Sequence, residues 1–205
     1  MRLSLPPTPY RVALETYIDA KDNTRPERID EIFAADAVLT FSLATENIAF
    51  PARTVGAPAI AKTLVSDFGA QYARCRTYYV CDSLHVSGTE DATDVRVDAL
   101  PWLVVMREPA TGSLRVGHGV YHWMFARAAA GVRATRLHIH IARMDVVVDP
   151  DGVALATLQD GLSYPWLRPD ALRERFLSIA REVPALGFVE AFSQPVTMPV
   201  ASTPK

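Results

Sequence analysis

Apolar positions in this 205-residue chain change their period about a third of the way along. Up to Phe68 they recur every three or four residues, which is helical spacing. From Arg74 to Val148 they alternate every second residue, which is strand spacing. Tyr10, Leu14, Tyr17 and Ile18 predict a helix over about 9–21, with Thr8 as its N-cap and Pro9 in its first turn. Lys21-Asp22-Asn23 ends it. Thr24 with Glu27 forms a capping box, and Ile29, Ile32 and Phe33 supply the stripe of a short second helix ending near Ala35. Asp36 then precedes a short strand, AVLTFS. Residues 43–54 show no period and predict a loop or lid. Gly56-Ala57-Pro58 opens a third helix whose buried stripe is Ile60, Leu64 and Phe68.

Strands follow over about 74–87 and 92–107, separated by a Gly-Thr-Glu-Asp turn that begins at Gly88. Two more run from Leu114 to Val148, joined by a short Ala/Gly link. On the first of these, His118, Val120, His122 and Met124 share one face, and Gly119, Tyr121, Trp123 and Phe125 share the other. On the second, Arg136, His138 and His140 lie opposite Leu137, Ile139 and Ile141. A regular hairpin in even register therefore gathers four of the chain's five histidines on one face. The expectation is that these imidazoles point inward, to a cavity roofed by the early helices. Asp149-Pro150-Asp151-Gly152 ends the sheet. Helix, helix, short strand, helix and four long strands predict an α+β fold, a curved antiparallel sheet wrapped around three N-terminal helices. Residues 151–205 form a C-terminal extension to the 1–150 unit. It carries an aromatic segment, Leu162 to Trp166, and a helix over about 169–183 built on Leu172, Phe176, Leu177 and Ile179.

Composition narrows the function more than the fold. An apolar fraction of 49% and a charged fraction of 21% provide for a real core. A net charge of −2 offers no basic footprint for nucleic acid. The apolar runs are too short to span a bilayer, and MRLSLPPTPYR lacks the core of a signal peptide. Cys75 and Cys81, six residues apart on one strand, lie about 20 Å apart, too far to bridge. Free thiols and no signal sequence point to the cytoplasm.

The stretches LETYIDAKDNTRPERIDEIFAADAVLTFS and GAPAIAKTLVSDF, followed by long strands, resemble the SnoaL-like branch of the nuclear transport factor 2-like superfamily. That group includes ketosteroid isomerase, scytalone dehydratase, limonene-epoxide hydrolase and polyketide cyclases. The resemblance spans about 9–148 and implies a cone-shaped sheet, open to a small hydrophobic molecule, with no cofactor. It places Tyr17 at the oxyanion-hole tyrosine of the isomerase, but puts Phe41 where that enzyme has its base. Arg96-Val97-Asp98 resembles the Arg-x-Asp of the epoxide hydrolase, while that enzyme's second aspartate falls near His138. Tyr79 falls near a pocket histidine of scytalone dehydratase, and the positions of His138 and His140 tend to line the cavity. The resemblance also implies a homodimer.

The expected catalytic set is thus His138, Asp98 and Tyr17. His140, His118, His122, Arg96, Tyr79, Phe41 and Trp102 are expected to line the ligand site. Imidazole titrates near neutral pH and can shuttle a proton for elimination, isomerisation or ring closure. Each of these residues also has a plain structural reading, as a hydrogen-bonded or packed member of its element. Imidazole also binds metals, but no HExxH or Cys/His spacing supports a metal site. Tyr121, Trp123, Phe125, Leu137, Ile139 and Ile141 make a face too apolar to leave wet, and a second copy of the chain is expected to cover it. Two function classes stand: an acid–base enzyme on a small hydrophobic substrate, or a non-catalytic domain that binds a ligand or a protein.

Overall fold

The computed structural model describes residues 8–88, 94–129 and 131–197. Most of the N-terminal Pro-rich arm, most of the turn after Gly88 and the last eight residues lie outside the described residues. Helix α1 (Pro9–Asp22) starts where Thr8 accepts a hydrogen bond from the Arg11 amide, and it buries Leu14, Tyr17 and Ile18. Pro26–Glu31 is a 3-10 helix, shorter than the helix expected there. The chain is already extended at Phe33, so β1 (Phe33–Leu43) begins earlier than its apolar alternation shows. After β2 (Arg53–Val55), three helical segments run on without a break: α2 (Ala57–Ala61), a π-helical turn (Lys62–Ser66) and α3 (Asp67–Gln71). Ile60, Leu64 and Phe68 are buried as their spacing predicts.

The long strands are β3 (Ala73–Val80), β4 (Asp94–Glu108), β5 (Ser113–Ala128) and β6 (Gly131–Val148). Then come α4 (Val153–Gln159), β7 (Trp166–Leu167), α5 (Pro169–Glu182) and a 3-10 helix, Pro184–Phe192. Seven strands form one sheet in the order β2-β1-β6-β5-β4-β3-β7. The sheet is mixed, where an antiparallel one was expected, because β1 runs parallel to β6 and β7 parallel to β3. Neither pair is joined by a hairpin, so no turn dictates an antiparallel alignment. Among the described residues no helix is long and apolar enough to cross a membrane.

Bulges bend the sheet. In β6, Thr135 and Ala142 are extra residues against β5, so Ala134, then Leu137, Ile139 and Ile141, then Met144 all point to the same side. In β4 the register shifts between Val97 and Leu100, where Ala99 has φ of 50°. At Gly119 the backbones come so close that a Cβ would lie 1.9 Å from the His140 carbonyl oxygen, so only glycine fits.

The concave face holds the aromatic set. Tyr17 of α1 meets Trp123 edge-on at 5.0 Å and Tyr121 at 5.9 Å, and Tyr10 meets Phe125 at 5.5 Å. The face nominated for a second copy is therefore the inside of the cone, covered by the chain's own helices. His118, His122, His138 and His140 point the opposite way, to the convex face. The alternation separates the two faces correctly, but the sides are reversed. Burying the imidazoles would cost more desolvation than burying the rings, although Trp123 Nε1 is itself buried without a partner among the described residues.

A second core sits on the convex face. There Tyr78, Val80, Leu103, Val105, Leu114 and Val116 pack against Leu155, Leu158, Leu172, Phe176, Ile179 and Phe192 of the extension. The C-terminal segment thus covers the β3–β5 end of the sheet and leaves the β1–β6 end open.

Candidate functional site

The inner end of the cone combines two kinds of surface. Its walls are apolar: Phe41, Phe50, Phe68, Trp102, Tyr121, Ile139 and Ile141 surround a cavity of about 40 Å³, room for about one water molecule. Phe41 stacks on Phe50 at 4.3 Å, and Phe50 belongs to the irregular stretch between β1 and β2. That stretch is tied down where the Asn47 side-chain amide donates to the Met144 carbonyl at 2.6 Å and the Arg115 guanidinium donates to the Asn47 carbonyl. It crosses the cavity as the aperiodic sequence of 43–54 led one to expect.

The floor is ionic. Lys21 and Asp22, at the last turn of α1, form an ion pair of 2.6 Å with side chains 6% and 1% exposed. The Asp22 carboxylate also accepts from the Thr77 amide at 2.6 Å, the Thr77 hydroxyl at 3.0 Å, the Cys75 thiol at 3.3 Å and the Tyr164 hydroxyl at 3.0 Å. Cys75 and Thr77 face inward together because they are two apart on β3. Lys21 donates a further contact to Cys75 Sγ at 3.4 Å and lies 4.7 Å above the Phe68 ring. Burial works against its charge, but the Asp22 carboxylate and the other acidic groups around it together hold the ammonium above the usual lysine range. Cys75 is pushed up to about 12 by burial and by Asp22, so it stays a thiol.

Tyr17 completes the site. It is fully buried, it lines the cavity, and its hydroxyl makes no hydrogen bond of ordinary geometry among the described residues, the Tyr121 hydroxyl interacting with it only weakly. Burial raises its pKa to about 12 against the opposing pull of Lys21, so it remains a phenol able to donate. Trp102 Nε1 is likewise buried without a partner and belongs to the same lining. Two unfilled donors and a buried ammonium around one apolar hollow are suited to a ligand oxygen, and to charge developing on it.

Of the residues expected from the sequence, Tyr17, Phe41 and Trp102 come together here. Tyr79 is buried behind them and spends its hydroxyl on the Leu14 carbonyl at 3.0 Å. His138 and Asp98 do not join Tyr17, since they lie on the convex face with the sheet between them. His138 bonds Thr40 Oγ1 and Ser42 Oγ at 2.8 and 2.9 Å, and Ser42 Oγ also meets His140 Nδ1 at 2.8 Å. His122 Nδ1 accepts from the Ala99 amide at 3.3 Å and lies 3.4 Å from Asp98 Oδ1. Arg96 and His122 line the same outer hollow. His118 sits farther along, 4.7 Å from the Phe192 ring under the extension. Among the described residues no group of three His, Cys, Asp or Glu side chains has metal-binding geometry.

Sequence reasoning missed Lys21, Asp22, Cys75, Thr77 and Tyr164. A Lys-Asp pair at a helix end is usually solvated, which hid the first two. The inward parity of Cys75 and Thr77 with Tyr79 was the available signal for the β3 residues.

A profile of the SnoaL-like domain matches residues 11–138, and the chain belongs to that family. A search of curated proteins found no significant match. Among solved structures, a putative scytalone dehydratase from Novosphingobium aromaticivorans superposes with a TM-score of 0.55 at 15% identity, covering 70% of this chain and 91% of that one. A hexachlorocyclohexane dehydrochlorinase, LinA-type3, from Novosphingobium barchaimii gives 0.51 at 14%, covering 67% and 90%. A nuclear transport factor 2-like superfamily protein from Salmonella enterica gives 0.52 at 12%, covering 62% and 84%. At these identities the likeness establishes the fold alone.

Proposed function

We propose that the chain is a cofactor-independent enzyme of the dehydratase, isomerase or cyclase kind, acting on a small hydrophobic molecule in the inner cavity. The observation that carries this reading is the unpartnered Tyr17 hydroxyl, buried beside an ammonium that Asp22 keeps charged. Tyr17 would donate to a substrate carbonyl or leaving-group oxygen. Lys21 would neutralise the negative charge that builds there, and the aromatic walls would exclude water. The names of two fold neighbours, a dehydratase and a dehydrochlorinase, both denote eliminations, in which a leaving group needs this kind of help. A substrate would need the walls to move, as by Phe50 leaving Phe41, because the cavity as it stands holds little more than water.

A second reading, a non-catalytic binding domain, draws on the Asp22 carboxylate. Both of its oxygens are already engaged, which leaves no free base as the site stands. The enzyme reading therefore needs Lys21 to turn from Asp22 to the substrate and the Thr77 hydroxyl and Cys75 thiol to turn away as well, freeing Oδ1 to take a proton. Small ketones, β-hydroxy ketones and alkyl halides, followed by NMR in heavy water, separate the two readings. The enzyme catalyses α-proton exchange or elimination on at least one class, and Tyr17→Phe slows it about 10²- to 10³-fold at an unchanged fold. Tight binding with no exchange or elimination on any class would make this a binding domain.

A further inference from the structure

The open end of the convex face carries a second hollow, separate from the inner cavity. Strands β1, β6 and β5 form the floor of a hollow of about 500 Å³, flanked by β2 and β4. Register aligns the side chains in rows. Arg53 pairs with Thr40, Thr40 with His138 and His138 with His122. In the next row Arg136 pairs with Met124, and Met124 with Arg96. Arg53, Arg96 and Arg136 are exposed and make no side-chain hydrogen bond or ion pair among the described residues. Against these three guanidinium groups the lining holds a single carboxylate, Asp98. The excess is positive, on a chain whose net charge is −2.

We propose that this hollow binds a phosphate-type dianion, free or carried on a small metabolite, between Arg53, Arg96 and Arg136 over the His122–His138 floor. Guanidinium forks match the tetrahedral oxyanion and hold it by charge-assisted hydrogen bonds. The floor adds a proton-dependent part. When neutral, His138 takes a proton from one of its two hydroxyl partners, Thr40 and Ser42. When protonated, it donates from both ring nitrogens, and the Thr40 hydroxyl proton is free to turn toward the anion while Ser42 Oγ still serves His140. His122 behaves similarly, accepting from the Ala99 amide when neutral and donating to Asp98 when charged. Burial and the neighbouring His122 and His140 hold the His138 pKa below its ordinary value, so an anion that offsets their repulsion raises it. Arg53, Arg96, Arg136 and Asp98 are the other charges facing this floor.

Isothermal titration calorimetry on the full chain tests the proposal with sulfate, inorganic phosphate, pyrophosphate and a hexose phosphate. Sulfate keeps its charge between about pH 5 and pH 7, a window that reaches below the ordinary histidine value, so its pH dependence reports the histidines. Saturable binding is expected, tighter at the lower pH. It should weaken about tenfold or more in Arg96→Ala/Arg136→Ala while the melting temperature holds, and remain intact in Tyr17→Phe. A preference for the hexose phosphate over inorganic phosphate would identify a carried group, and equal affinity a free ion. No saturable heat with any of the four, or equal binding by the double variant, would overturn the proposal. So would a double variant that alters oligomeric state in light scattering without altering anion affinity.

Discussion

The two faces of the sheet are made from the same strands, yet they do opposite things with polar groups. On the concave face the polar side chains are few and the charged pair is buried and bound: Lys21 and Asp22 at 6% and 1% exposure, held by Cys75, Thr77 and Tyr164. On the open half of the convex face they are numerous and half-exposed, and Arg53, Arg96 and Arg136 make no side-chain hydrogen bond or ion pair among the described residues. Alternate residues of β5 and β6 feed both surfaces, so Trp123 and His122 are neighbours in sequence and differ in every physical respect. The two proposed roles follow this difference. The inner groups sit in a dry site, where a charge acts strongly. The outer groups stand in water, where the proposed anion would be met.

The largest effect expected from breaking this contrast is at the ionic floor. Asp22→Ala would leave Lys21 buried without a counter-charge and cost about 3–5 kcal/mol, read as a lowered urea midpoint. Adding Lys21→Met should recover much of that loss. If the single and double variants are equally unstable, the pair is not what holds the floor together. Next comes the comparison across one peptide bond. Trp123→Ala should cost about 3–5 kcal/mol, whereas His122→Ala should cost less than about 1 kcal/mol. Similar losses for both would mean that the faces are not so unequal.

The smallest effect is on pH dependence, and it lies on the covered half of the convex face. Burial under Phe192, then the charge of Arg143, pushes the His118 pKa from 6.5 down to about 4. Between those values the unfolded chain holds the extra proton and the folded chain does not. This contribution is therefore whole above about pH 6.5, declines as pH falls through the window, and is gone below about pH 4. The full span is at most about 3 kcal/mol. His118→Phe should flatten this part of the curve of melting temperature against pH. A variant with an unchanged slope would place the acid sensitivity elsewhere.

Much of this architecture is written in the sequence as periodicity. The switch from helical to strand spacing near Arg74, the alternation of β5 and β6, and the Leu172, Phe176 and Ile179 stripe of α5 all survive in the structure. Alternation, however, defines two faces without saying which one the helices cover. The relative cost of burying Trp123 or His122 decides that, and it favours the ring. The bulges at Thr135 and Ala142 were hidden for a related reason: they fall beside, and not within, the segment whose alternation is clean. The 3-10 helix Pro184–Phe192 has neither of the two common periods, so its place in the second core could not be read. At the inner site Tyr17 was legible through the family likeness. Asp22 was not, because its partners come from β3 and from beyond β6.

The Tyr164 hydroxyl reaches Asp22 from outside the stretch that the SnoaL-like profile matches, and Trp166 beside it donates to Glu15 of α1 at 2.6 Å. The carboxylate on which the inner charge balance depends is therefore completed by a segment the family likeness does not cover. An engineer who pared this protein back to its shared portion would remove a donor from beneath the inner cavity along with the outer cladding. The shortened cone would be a different chemical object, and measurements on it would say little about its parent.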